Sequence, residues 1–282
     1  MQSISDALLD LIEHISGSRL KLIVGGGFGI YLRHKELLKA GNAGTLLKEW
    51  PQPRSTNDLD LFLKTELLAD SAKLKPLADA IQQLGYNPIA TAKYYQFFKP
   101  GPKGGEAGGF KIDILTGPVE RLREIGVKAD SRRAHPVPKI EFHAHPLDEA
   151  LTLEEHLKPV VIESSGRRGE VFLPHPFSFI MMKLFALRDR QDDPEKDYGR
   201  HHALDIYTIV AMMTRREWEE SLQLAEKYKH SIKAQEAAGI VQKMFKDELS
   251  PGVIRLRESK YYKDCFQLVE FLRALKDLFK ID

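Results

Sequence analysis

The run Asn57-Asp58-Leu59-Asp60-Leu61-Phe62-Leu63 constrains this chain more than any other stretch. Two carboxylates one residue apart lead into an apolar run that reads as a β-strand. Alternate residues of a strand project to one face, so Asp58 and Asp60 point the same way, about 7 Å apart along the strand. Like charges that close repel unless something cationic neutralises them. Hard oxygen ligands of this kind suit Mg²⁺, which commonly binds through one or two carboxylates together with phosphate oxygens.

At 282 residues the chain is long enough for a sizeable core and two subdomains. Its 43% apolar and 29% charged residues are those of an ordinary globular protein. No apolar segment approaches the roughly 18 residues of a membrane span. The start, Met1-Gln2-Ser3-Ile4-Ser5-Asp6, lacks the basic and apolar stretches of a signal peptide. One cysteine, Cys265, allows no internal disulfide. A cytoplasmic protein without a membrane partner is the expectation. The net charge of +2 does not announce a nucleic-acid binder. Arg132-Arg133, Arg167-Arg168 and Arg215-Arg216 read as solvated surface, with a polyanion-guiding patch as the sharper alternative.

Helical spacing of Leu8, Leu9, Leu11, Ile12 and Ile15 predicts an amphipathic helix over 5–16. Residues 20–24 read as a short buried strand, interrupted by Gly25-Gly26-Gly27, with a helix from Phe28 to Leu38. Residues 39–56 are loop-like, with room for a short helix at 46–50. A helix over 66–84 ends at Gly85. Strands are expected at 94–99 and 110–115, joined by a glycine-rich hairpin loop at 100–109. Residues 116–140 read as irregular. Further strands are expected at 139–144, 160–164 and 170–173, the last two joined across Ser165–Gly169. After Pro174 and Pro176 the pattern turns helical to the end, which sets a domain boundary near 175.

The order strand, glycines, helix, strand with Asp-x-Asp resembles the DNA polymerase β-like nucleotidyltransferase superfamily. Within it, the chain is similar to the AbiEii/AbiGii-type toxin nucleotidyltransferases of abortive-infection and toxin–antitoxin systems. The residues that carry the likeness are Gly25-Gly26-Gly27, Arg54-Ser55-Thr56-Asn57-Asp58-Leu59-Asp60-Leu61 and Lys111-Ile112-Asp113-Ile114. Lys183-Leu184-Phe185-Ala186-Leu187 with Arg190, then Lys196-Asp197, then Asp205-Ile206-Tyr207, continue it. The stretch between Gly27 and Asp58 is longer than the family's usual spacing. The excess falls in a loop-like region, where insertions are tolerated.

This resemblance implies a role for each part. Gly25, Gly26 and Gly27 would let the backbone approach a triphosphate beside a helix N-terminus. Three glycines in a row exceed what a tight turn alone needs. Asp58, Asp60 and Asp113 would hold two Mg²⁺ ions, or Mn²⁺, and Asp113 would help deprotonate the attacking hydroxyl. Arg54 would contact phosphate or brace the Asp58 loop, with an ordinary surface role as the alternative, and Thr56 would bind nucleotide. Lys183 stands in a helix apolar on nearly every face, and Asp205 mirrors it, so an ion pair between two helices is one reading. The resemblance supports the other, in which Lys183 reaches the triphosphate and Asp205 orients it or binds nucleotide. Lys196 and Asp197 match the family's Lys-Asp pair without an assigned role. His143 and His145 alternate but lack further ligands for zinc. Ser164-Ser165 lacks the surroundings of a serine nucleophile.

The expected architecture is therefore α/β (α+β): a mixed-sheet nucleotidyltransferase domain over 1–174 and a mainly helical domain over 175–282. The expected activity is Mg²⁺-dependent transfer of a nucleoside monophosphate from a nucleoside triphosphate to an acceptor hydroxyl, releasing pyrophosphate. By resemblance the acceptor is the 3′ end of tRNA or a protein, the protein is a toxin, and a cognate antitoxin is a partner. A small-molecule nucleotidyltransferase of antibiotic-modifying type, and an idle fold that binds RNA or a partner protein, are the alternatives.

Overall fold

The computed structural model describes residues 3–41, 44–52, 56–101 and 108–281. In chain order the elements are α1 (Ile4–His14), β1 (Ile23–Val24), α2 (Gly26–Lys39), β2 (Asp58–Leu63), α3 (Thr65–Leu68), α4 (Ser71–Gln83), β3 (Asn87–Pro88), β4 (Gln96–Lys99) and β5 (Phe110–Thr116). They continue with α5 (Val119–Glu124), β6 (Lys128–Ala129), β7 (Ala134–His135), β8 (His145–Pro146), β9 (Lys158–Ser164) and β10 (Arg167–Leu173). The rest is helical: α6 (Pro176–Arg190), α7 (Arg200–Ala211), α8 (Arg215–Tyr228), α9 (Ile232–Met244), α10 (Pro251–Arg257) and α11 (Leu268–Phe279). The architecture is mixed α/β followed by a mainly helical segment, as the sequence pattern indicates.

Eight strands form one mixed sheet in the order β3-β4-β5-β2-β1-β10-β9, with β8 also on β5. β2 runs parallel to β5 and antiparallel to β1, and β1 runs parallel to β10. Leu59, Leu61, Ile112 and Ile114 are fully buried on one face of the central pair. Each contributes about 2 kcal/mol through its removal from water. α1 starts with a capping box in which Ser3 and Asp6 bond each other's backbone N–H groups. Its Leu9 and Ile12 lie against Gly169 of β10, where a Cβ would come within 3.0 Å of both. Arg167 then clamps the helix through Asp10 (2.6 Å), Asp6 (3.3 Å) and Glu13 (3.4 Å).

Four local expectations are corrected. Residues 116–140, expected to be irregular, hold α5 and the antiparallel pair β6–β7. The helix expected over 66–84 is two, because Asp70 is extended (φ −141°) and its side chain accepts from the Ala72 N–H to start α4 afresh. The strand expected over 139–144 is reduced to an isolated bridge between Ala144 and Ala134. β4 occupies the β5 edge from Phe110 to Asp113, which leaves only Leu115 and Thr116 for β8. No helix forms at 46–50: Leu46 and Leu47 donate to the carbonyls of Met213 and Ala211 instead.

The chain divides into two compact units, Met1–Leu32 with Ser55–Pro174, and Arg33–Arg54 with His175–Asp282. Residues 33–54 thus belong with the C-terminal helices, not with the 1–174 segment to which the sequence pattern alone assigned them. The Leu46 and Leu47 hydrogen bonds are one reason, and Arg33 is the other. It is 3% exposed and grips Glu217 at 2.7 and 2.5 Å while donating to the Met212 carbonyl. The same Glu217 carboxylate accepts from the backbone and hydroxyl of Thr214, closing the capping box of α8.

Burial would raise the Glu217 carboxyl, but the Arg33 guanidinium and Thr214 outweigh it and bring it down to about 2. A carboxylate lowered in this way stabilises the fold above its ordinary value of 4.5, and the contribution is lost as the pH falls towards 2. Removing its charge leaves Arg33 buried without a counter-charge. Glu217→Gln is expected to lower the unfolding free energy by about 3 kcal/mol at neutral pH, and by much less below the carboxyl's folded value. Urea denaturation at two pH values checks this. A neutral-pH loss below about 1 kcal/mol would contradict the assigned role of the pair.

Candidate active site

The parallel register of β2 and β5 sets Asp58 beside Lys111 and Asp60 beside Asp113. Neighbouring strands lie about 4.8 Å apart, and laterally paired residues share a face. The face opposite the leucine layer therefore carries Asp58, Asp60, Lys111 and Asp113 together. The antiparallel register of β4 adds Gln96 on the far side of Asp113. Asp58 is exposed, while Asp60 and Asp113 are half-buried. The structure thus gathers Asp58, Asp60 and Asp113 on one surface. Thr56 accepts from the Asp58 N–H at 3.1 Å, so its hydroxyl braces the entry to β2. Arg54 lies outside the described residues.

The glycines at the start of α2 are shaped by this same face. Gly25 donates its N–H to the Asp60 carbonyl at 2.8 Å, and a Cβ there would meet the Phe62 ring at 2.3 Å. Gly26 has φ +59°, and a Cβ there would stand 1.5 Å from Asp60 Oδ2. Two of the three glycines are accordingly demanded by β2 itself, which corrects the inference that the run exceeds the needs of a turn. The close approach has a chemical result. The Asp60 carboxylate rests on the first residue of α2, at the positive end of that helix's dipole.

Asp113 is the electrostatic centre of the face. Its Oδ2 accepts from the Lys111 ammonium at 2.9 Å. Its Oδ1 is buried and has no hydrogen-bond partner. Burial pushes the Asp113 carboxyl up to about 6; Lys111 opposes the rise, and the charges of Asp60 and Asp58 add to it. Among the described residues no three His, Cys, Asp or Glu side chains stand arranged to hold a metal ion. The donor chemistry nonetheless fits a hard divalent cation: three carboxylates share one face, and one buried oxygen lacks any donor. Lys111 was not singled out from the sequence. Its position two residues before Asp113 on the same strand is the signal that could have found it.

The residues expected to join these from the C-terminal half lie in the second unit, where Lys183 of α6 and Asp205 of α7 form a pair at 2.6 Å. Both side chains are under a tenth exposed. Each charge needs the other there, because an unpaired buried ion costs several kcal/mol. Asp197, with Tyr198 and Gly199, adopts positive φ (55°, 50° and 71°) in the turn before α7. Asp197 accepts from Arg200 at 2.6 Å, and Arg200 and Arg255 both approach the Tyr198 ring. Lys196 is exposed. His143, set aside as a zinc ligand, is buried against Tyr94 and His135. The cross-strand placement of His135 opposite it follows from the Ala134–Ala144 bridge.

No protein-family model matches the chain, and no curated protein matches it. Among solved structures it is similar to the antibiotic-resistance factor ANT(2'')-Ia, whose solution structure reveals substrate-regulated conformation dynamics. The identity is 13% and the TM-score 0.34, over 80% of this chain and 96% of that one.

The raised Asp113 carboxyl makes a stability prediction. A carboxyl whose folded value lies above its ordinary 3.8 favours the fold at low pH, and that contribution is lost as the pH rises through about 6. Asp113→Asn removes the cost of ionising a buried group. It is expected to stabilise the protein by about 1–3 kcal/mol at mildly alkaline pH and to change little below the ordinary carboxylate value. Urea melts of both proteins across that range test this. A variant less stable than the parent on the alkaline side would show that Asp113 is a net stabilising partner of Lys111.

Proposed function

We propose that this protein is a divalent-metal-dependent nucleotidyltransferase that moves a nucleoside monophosphate from a nucleoside triphosphate to an acceptor hydroxyl, with pyrophosphate as the leaving group. The observation that carries the reading is the lateral pairing of Asp60 with Asp113, with Asp58 on the same face and the start of α2 beside Asp60. The ordered motifs from Gly25 to Asp205, and their likeness to the AbiEii/AbiGii-type toxins, support it.

Asp58, Asp60 and Asp113 are the residues that would hold Mg²⁺ or Mn²⁺, which supplies charge neutralisation at the phosphate oxygens. The chain's own groups do the rest. By the resemblance, Asp113 would help deprotonate the attacking hydroxyl. The amides of the first turn of α2, which Gly26 and Gly27 begin, suit an anionic phosphate tail. By the resemblance, Lys183 would direct its charge at phosphate and Asp205, paired with it, would orient it. The finer part of the proposal follows the resemblance: the acceptor is the 3′ end of tRNA or a protein, and the chain acts as a toxin with a cognate antitoxin.

Incubation of the full chain with each α-labelled nucleoside triphosphate, Mg²⁺ and cell extract tests the reading. Label is expected in an RNA or protein band, and the released product is pyrophosphate. Asp58→Asn and Asp60→Asn are each expected to lower the rate by about 10³-fold or more while the far-ultraviolet spectrum stays unchanged. Lys183→Met leaves Asp205 buried without its counter-charge and is expected to destabilise the protein by about 3 kcal/mol in urea melts. Label on a small molecule instead would replace the acceptor class. Full turnover by both aspartate variants would end the proposal.

A further inference from the structure

The ammonium of Lys111 is the feature that the proposed chemistry leaves unexplained. It is laterally paired with Asp58 and bonded to Asp113 at 2.9 Å, so it stands within the face that would take a divalent ion. It is about one third exposed, while Asp113 is half that. A long flexible side chain at that exposure can leave its partner without opening the core. Asp113 has one oxygen held by Lys111 and one with no partner at all. A carboxylate so placed is half-neutralised by a cation the chain itself supplies.

We infer that Lys111 is a resident counter-cation of Asp113 that competes with the divalent ion for that carboxylate; the inference rests on the metal reading given above. Three carboxylates and one ammonium leave the face with a formal charge of −2, which a single divalent ion balances. With Lys111 in place, the face attracts a divalent ion less strongly than three uncompensated carboxylates would, and a polyanion such as the nucleotide's triphosphate makes up the difference. Lys111 thus holds the nucleotide-free protein in a state of weak metal affinity. It ties metal loading to nucleotide loading. It acts through Asp113 and is a positioning residue, not a catalytic one.

The test is a Mn²⁺ titration of the full-length, nucleotide-free protein, read by the loss of the free-ion electron paramagnetic resonance signal. Lys111→Met is expected to tighten Mn²⁺ binding on the order of tenfold or more, because a competing charge has gone. Lys111→Arg keeps the charge and is expected to bind as the parent does. In the Asp113→Asn background, Lys111→Met is expected to tighten nothing. Lys111→Gln serves the same purpose should the methionine variant fail to fold, which a thermal melt shows. Parent and Lys111→Met affinities within about twofold of each other would overturn the inference while leaving the metal site intact. Absence of Mn²⁺ binding by every folded variant would overturn the metal reading, and the inference with it.

Discussion

The parallel pairing of β2 with β5 is the constraint on which the site depends. A strand has a side-chain period of two, so one residue of slip in β2 would carry Asp58 and Asp60 to the leucine face, away from Asp113. The register holds because Leu59, Leu61, Ile112 and Ile114 are fully buried behind it. Several kcal/mol of apolar burial on one face thereby fix three mutually repelling carboxylates on the other. The fold relieves that repulsion only in part, through the Lys111 ammonium on Asp113.

The turn between β1 and α2 shows the same economy. Gly25 and Gly26 are small because Phe62 and Asp60 occupy the space that a Cβ would fill. The strand that carries the carboxylates therefore also dictates the backbone that leads into the helix. The Asp60 charge and the helix N-terminus come together as one consequence of packing. A phosphate-binding role and a structural role for these glycines are not alternatives, since the close approach that excludes a side chain is also what brings backbone amides near the acidic face.

The second unit solves a different electrostatic problem. Arg33 with Glu217, and Lys183 with Asp205, are buried ion pairs whose charges would be intolerable singly. Glu217 serves two elements at once, neutralising Arg33 and capping α8. Residues 33–54 are drawn into this unit by Arg33 and by backbone bonds to Ala211 and Met213. Nothing in their own composition distinguishes them from a linker. For that reason the sequence pattern divides the chain once, near 175, whereas the folded chain assigns an early segment to the late unit.

What the sequence alone determined was set by local rules. Period-two and period-3.6 patterning revealed strands in the first part, the helical C-terminal part, and the shared face of Asp58 and Asp60, while the mixed sheet was what the resemblance implied. The motif order placed Asp113 and the glycines in the same constellation. Only tertiary structure decided which strand lies beside which, and hence that Asp60 faces Asp113 across a parallel pair. It also decided that Lys111 occupies one Asp113 oxygen, that Lys183 meets Asp205, and that the would-be strand before His145 finds its edge of β5 taken by β4. The division has one physical cause. Periodicity along a chain fixes the direction of a side chain, but its partner is chosen by long-range register and by the burial that enforces it.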